Sequence, residues 1–209
     1  QLGLGFKLTG VGGLIGIHRR IELTKLTEGL RTNNFDDILF PEAPLENPYG
    51  LLNKLNAIFP PAEGQYVVGL MGQIAWGPKN LVTIELGLIV EFPEPVRLAL
   101  IGVLKAMVKK EIGGEECIVL QLQVNFAGIF DFEKQFIRFD ATLFESKLLG
   151  LKLEGDMALR IKYGASSDFA LTVGGFHPDF QPPALDLPAN IRRLQITLRP
   201  DNPSIIVSA

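Results

Sequence analysis

Two-residue alternation of apolar and polar side chains runs through most of this chain. The clearest stretch sets Leu149, Leu151, Leu153, Gly155, Met157, Leu159, Ile161 and Tyr163 against Gly150, Lys152, Glu154, Asp156, Ala158, Arg160 and Lys162. Successive side chains of a strand point to opposite faces, so this pattern predicts one long strand over 149–163 with a dry and a wet face. Val82, Ile84, Leu86, Leu88, Val90 and Phe92 repeat it against Thr83, Glu85, Gly87, Ile89 and Glu91. Ile118, Leu120, Leu122, Val124 and Phe126 oppose Gln121, Gln123 and Asn125, and Ile137, Phe139, Ala141 and Leu143 oppose Arg138, Asp140 and Thr142. Similar runs begin at Gln65, Phe169 and Leu194, and Ile205, Ile206 and Val207 read as a last, unfinished strand. Residues 96–108 fit either period; Gly102 in mid-run, which costs a helix about 1 kcal/mol relative to Ala, favours a strand.

The first 60 residues read differently. Leu4, Phe6 and Leu8 open a strand, and Gly10, Gly12, Gly13 and Gly16 predict a flexible turn followed by a second short strand. Leu23, Leu26, Thr27 and Leu30 have helical spacing, with Thr24 as the cap and Gly29 near the end. Asn34 with Asp36 and Asp37 predicts a further turn of helix over 35–40, stopped by Pro41. Asn47-Pro48 opens a third helix carrying Leu51, Leu52, Leu55 and Ile58, ended by Phe59-Pro60-Pro61. Turns fall at 77–80, 93–95, 113–114 and 131–134, and the proline-rich stretch 178–188 crosses over to the last strands. The fold class this predicts is mainly β. Roughly eight to ten strands form a large curved antiparallel amphipathic sheet, with charges turned outward and the oily face partly covered by short helices from residues 23–59. Residues 1–209 read as one β-rich domain with 23–59 as a helical insertion.

Composition sharpens this picture. The chain has 209 residues, 47% of them hydrophobic and only 21% charged. Its mean hydropathy of +0.24 is greasier than a soluble enzyme usually needs, so an apolar surface covered by a partner is expected. The greasiest segment, 81–108, is interrupted by Glu85, Glu91, Pro93, Glu94, Pro95, Arg97 and Lys105, which predicts no transmembrane helix. A net charge of −3 argues against nucleic-acid binding, which needs a basic stripe. Cys117 stands alone, so neither an internal disulfide nor a cysteine metal cluster is expected. A start at Gln1 without a signal-peptide pattern reads as a piece of a longer polypeptide.

Candidate chemistry is sparse. Gly10, Gly12, Gly13 and Gly16 do not have the dinucleotide-binding spacing, and a bulge or a close backbone crossing explains them better. His18 and His177 are the only histidines; a catalytic role needs a carboxylate such as Asp36, Asp37 or Asp179 to converge on one of them. Ser146, Ser166, Ser167 and Ser204 lack the elbow motif of hydrolases. No catalytic residue, metal site or cofactor is therefore expected. The remaining constellation is the apolar face itself: Ile118, Leu120, Leu122, Phe126, Ile137, Phe139, Leu149, Leu151, Leu153, Met157, Leu159 and Ile161. These side chains line either a closed core or an open groove.

The segments 10–17, 38–41, 59–64 and 155–160, with Gly174-Gly175-Phe176-His177-Pro178, resemble a region of large uncharacterised bacterial β-rich proteins found at loci of phage-tail-like contractile injection systems. That resemblance covers nearly the whole chain and implies a fragment of a large protein, with no catalytic residues to carry over. The long alternating strands also resemble, in pattern alone, those of bridge-type lipid carriers. The expected function is a non-catalytic structural or interaction module of a larger bacterial assembly or secreted protein, its partner being another protein or the rest of the parent polypeptide. A lipid-binding β-groove is the alternative, and an enzyme using His18 or His177 the third reading.

Overall fold

The computed structural model describes residues 4–32, 38–40, 46–175, 185–188, 190–199 and 205–208. Five long strands come first in the sheet and pair with their sequence neighbours: β1 (Phe6–Arg19), β2 (Pro61–Trp76), β3 (Val82–Phe92), β4 (Arg97–Ile112) and β5 (Glu115–Asp131). The far edge of β5 is shared. Its C-terminal part pairs with β6 (Phe136–Leu143), and β6 with β9 (Asp156–Lys162) and then β10 (Asp168–Val173). Its N-terminal part pairs with β7 (Ser146–Leu148), then β8 (Leu151–Glu154), β11 (Gln195–Arg199) and β12 (Ile205–Ser208). The result is one open sheet of twelve strands, every pairing antiparallel. Among the described residues, the helices α1 (Leu23–Thr32) and α2 (Pro48–Ile58) lie between β1 and β2 in sequence. Mainly β architecture with a small helical part is thus what the alternation predicted.

Directly paired residues of an antiparallel ladder point to the same side, so the register carries each face across the sheet. One side holds Val67, Met71, Ile89, Ala99, Ile101, Val103, Ala127 and Ile129, all buried against Leu26 and Leu30 of α1, Ile58 of α2, and Ile21, Ile38, Leu39 and Phe59. This is the helix side. The other carries Ile15, Ile17, Val68, Leu70 and Leu88, and on β10 Phe169, Leu171 and Val173, all exposed. This is the open side. The expectation that helices cover the oily face is therefore corrected: they cover the mixed face, and the uniformly apolar one stays open. Burial follows what approaches a face. The segment 38–40 brings Leu39 to a position where Gly87 leaves room for it, and a Cβ on Gly87 would stand 2.7 Å from Leu39 Cδ2.

Several local expectations hold. Asn47 caps α2, its side chain accepting from Gly50 N at 2.9 Å, with Pro48 in the first turn. Gly113 and Gly114 turn β4 into β5 with φ of 64° and 84°, a region open to glycine. Residues 97–112 are strand, as Gly102 argued.

Others are corrected. The glycine-rich start is a single strand of 14 residues, with a register shift between Leu8 and Gly10 in place of a turn. The glycines make room instead: a Cβ on Gly10 would stand 3.0 Å from Phe40 Cε1. β2 begins at Pro61, ahead of Gln65, and α1 begins at Leu23, which leaves Thr24 inside the helix. The long strand foreseen over 149–163 is broken twice. Leu149 and Gly150 turn with φ of 51° and 81°, and Gly155 separates β8 from β9, because the chain there changes partners from β7 and β11 to β6 and β10. Of the expected helix over 35–40, residues 38–39 are helical and 35–37 lie outside the described residues, as do 178–184 of the expected crossover.

Candidate functional site

Charged alternates face the helices here, which corrects the expectation of outward charge. They are tolerated because they are paired. Glu91, buried, accepts from Ile21 N at 3.0 Å and pairs with Arg97, whose Nε donates to Asp131 at 3.0 Å. Asp140 pairs with Arg160 at 2.9 Å and with Arg138 at 3.3 Å, and Arg138 also donates to Thr27 of α1 at 2.6 Å. Asn125 donates to Leu30 O at 2.9 Å, tying the end of α1 to β5. Asp156 accepts from Arg31, Arg192 and Thr142. Burial opposes its ionisation, but hydrogen bonds from Arg192 and Thr142 outweigh that and hold the carboxyl below its ordinary value of 3.8. A cavity of about 460 Å³ opens among α1, β6, β9 and residues 186–188, 190 and 191, lined by Thr27, Arg31, Arg138, Asp140, Asp156 and Arg160. These ionic groups are committed to one another and to the helix, so the cavity is framed by structural ion pairs.

Turning to the histidines, His18 is exposed, accepts from Gly64 N at 2.9 Å and lies 6.1 Å from the Tyr66 ring. His177 lies outside the described residues. Cys117 is half-buried on β5. No group of three metal-ligating side chains occurs among the described residues.

The open side is the larger feature. From Tyr66 and Phe92 at one end to Trp76 at the other, its positions on β1–β5 are aliphatic, aromatic or glycine, without a charged side chain. Leu70 on β2 and Ile15 on the edge strand β1 are 69% and 76% exposed, and Ile84, Leu86, Leu100, Leu104 and Phe126 on the inner strands are half-buried. Five strands at roughly 4.8 Å spacing and about 33 Å length give a projected apolar area on the order of 800 Å², more than the 300–600 Å² of the largest patch on a typical monomer. Of the residues singled out from sequence, Leu120, Leu122, Phe126, Ile137, Phe139, Leu151, Leu153, Met157, Leu159 and Ile161 share this side by register. Phe126 and Phe139 stack across β5 and β6 at 5.9 Å. Two do not belong. Leu149 sits in the β7–β8 turn, and Ile118 lies past a register shift and pairs with Lys109.

The site residues singled out from sequence leave out β1 and β2, although Tyr66, Val68, Leu70 and Ile74 read as one strand face with Trp76, and they leave out the aromatic pairs at the ends of the surface. Phe6 lies 6.2 Å from Trp76, and Tyr66 stacks on Phe92 at 5.8 Å. The signal was present, since Tyr66 and Trp76 bracket an aliphatic run of one parity.

Fold and surface together define a one-sided antiparallel sheet protein, helix-backed on its mixed face and, among the described residues, uncovered on its apolar one. The chain belongs to a family of unknown function, DUF6603, whose profile matches residues 1–209. Comparison with curated proteins found no match, and comparison with solved structures found none. Among the described residues no helix is long and apolar enough to cross a membrane.

Proposed function

We propose that this chain is a non-catalytic interaction module of a larger assembly or secreted protein, and that the open side of its sheet is the working surface. One observation carries this reading: Glu85, Glu91, Asn125, Asp131, Asp140, Thr142, Asp156 and Arg160, polar alternates of β3, β5, β6 and β9, are buried on the helix side, while the apolar alternates of the same strands meet no covering element among the described residues. At ~25 cal/mol per Å², an apolar area of this order represents about 20 kcal/mol of burial available to an occupant. Catalysis receives no comparable support, since the buried charges hold the helices in place.

The experiment is direct. The wild-type chain should enhance ANS fluorescence strongly while keeping a cooperative thermal transition, because the dye finds folded but uncovered apolar surface. Leu70→Glu and Leu171→Glu, both at exposed positions of the open side, should reduce dye binding at an unchanged Tm. Dye binding by the monomeric chain no higher than that of a closed globular protein would refute the reading.

A further inference from the structure

The distribution of residue types over the open side points to what covers it. We infer that this face rests on a phospholipid membrane, with the sheet lying in the plane of one leaflet, open side down and helices toward water. The inference rests on the reading of that face as the working surface and names its occupant.

Three features of the face support it. A protein interface carries about one hydrogen bond per 100–200 Å², so a protein partner of this face would require about four to eight polar groups on it. Between its aromatic ends the β1–β5 part of the open side offers none, and hydrocarbon is the occupant that asks for none. Next, the chain's single Trp and two of its three Tyr lie at the ends of the band. Tyr66 ends it on β2, Tyr163 follows the Met157–Leu159–Ile161 series at the same end of the sheet, and Trp76 closes the opposite end, its Nε1 donating to Leu4 O at 3.1 Å. Tyr and Trp favour the headgroup level, where an apolar ring and a polar tip are both satisfied. Lastly, charge begins where the band stops. β4 and β5 run on past Val108 into Lys109, Lys110, Glu111, Glu115 and Glu116, a hairpin end suited to water and headgroups.

Spanning is disfavoured by the same structure. Among the described residues no strand pairs with the outer edge of β1, and the helix side holds buried ion pairs, and neither an open edge nor such pairs belong in the hydrocarbon layer. A flat seat at the depth of interfacial helices, about 5–10 Å into the headgroup and acyl boundary, satisfies both.

Trp76 is a built-in probe. The 209-residue chain is mixed with phosphatidylcholine vesicles, alone and with phosphatidylglycerol, and followed by flotation and Trp76 emission. The expected result is co-flotation with both vesicle types, a blue-shifted emission, and stronger quenching by lipids brominated near the headgroup than near the acyl terminus. Leu70→Glu should lower the partition coefficient at least tenfold, and Leu88→Glu should reproduce the loss in case one variant folds poorly, with far-UV circular dichroism confirming the fold of each. Failure to float with unchanged emission overturns the inference, as does binding to anionic vesicles alone that survives Leu70→Glu. Strong ANS binding without flotation leaves the open face as a protein docking surface and removes only the membrane. A dimer in solution whose dye binding returns on Leu70→Glu assigns the face to a second copy and overturns the membrane occupant. Absence of both dye and vesicle binding in a monomeric chain refutes the working surface itself.

Discussion

Glycines in this sheet have opposite meanings depending on what stands opposite them. A Cβ on Gly102 would meet Phe126 Cζ at 2.4 Å and the Glu85 carbonyl oxygen at 2.6 Å, and the latter is backbone and has little freedom to retreat. A Cβ on Gly72, on the same side of the sheet, meets nothing within 4 Å. Gly102→Ala should therefore destabilise by about 1–3 kcal/mol through overpacking. Gly72→Ala should be neutral or stabilising by up to about 1 kcal/mol, since a strand glycine costs unfolded-state entropy. Urea denaturation of the two variants measures both; equal losses would show that the close approach at Gly102 is absent. Sequence alone marks both as mid-strand glycines and separates neither, because the atoms that decide the outcome come from neighbouring strands. Arg160 teaches the same lesson. It reads as an outward charge on an alternating strand, yet it is fully buried, and its partner Asp140 becomes visible only once β6 and β9 are in register.

At the scale of elements, the period of two was enough to recover the strands, and Asn47-Pro48 was enough to place the start of α2. The breaks were less legible. Nothing local in 149–163 announces that the strand divides at Gly155, since the division reflects a change of partners made by the whole sheet. What fastens the joint is Asp156, whose carboxylate gathers Arg31 from α1, Thr142 from β6 and Arg192 from the segment leading into β11. Asp156→Ala should cost about 2 kcal/mol at pH 7, the scale of hydrogen bonds to a charged group, with Arg31 and Arg192 exposed enough to regain water. The folded carboxyl is held below its ordinary 3.8, so its contribution is present above that value and is lost as pH falls through the folded one. Stability measured from pH 7 down to pH 2 should show the gap between wild type and Asp156→Ala closing below about pH 4. A gap that does not narrow at all as pH falls below about 4 would mean that the ionised carboxylate is not what stabilises the joint.

Over the whole molecule, the sequence pattern established that the chain has two unlike faces and misassigned which one is covered. Hydropathy suggested that helices seek the oilier side. The mixed side nonetheless contains Val67, Met71, Ile89, Ile101, Val103, Ala127 and Ile129 at its centre, enough apolar surface to pack α1 and α2 once Glu91, Asn125, Asp140 and Arg160 find partners. Those residues sat in plain sight as the weaker half of each alternation, and their clustering emerges only when five strands align. With that side closed, the greasiness of the composition falls on the open side, and the proposed function follows from it.

The most direct measurement is thiol accessibility on a Cys117→Ser background. Single cysteines at Leu70 and Leu171 on the open side, and at Val67 and Ala158 on the helix side, would be labelled with a maleimide in the folded chain. The account predicts rapid labelling at 70 and 171 and protection at 67 and 158 until denaturant is added, since the first pair is exposed and the second buried. The reverse order, with 67 and 158 reacting and 70 and 171 protected, would contradict it.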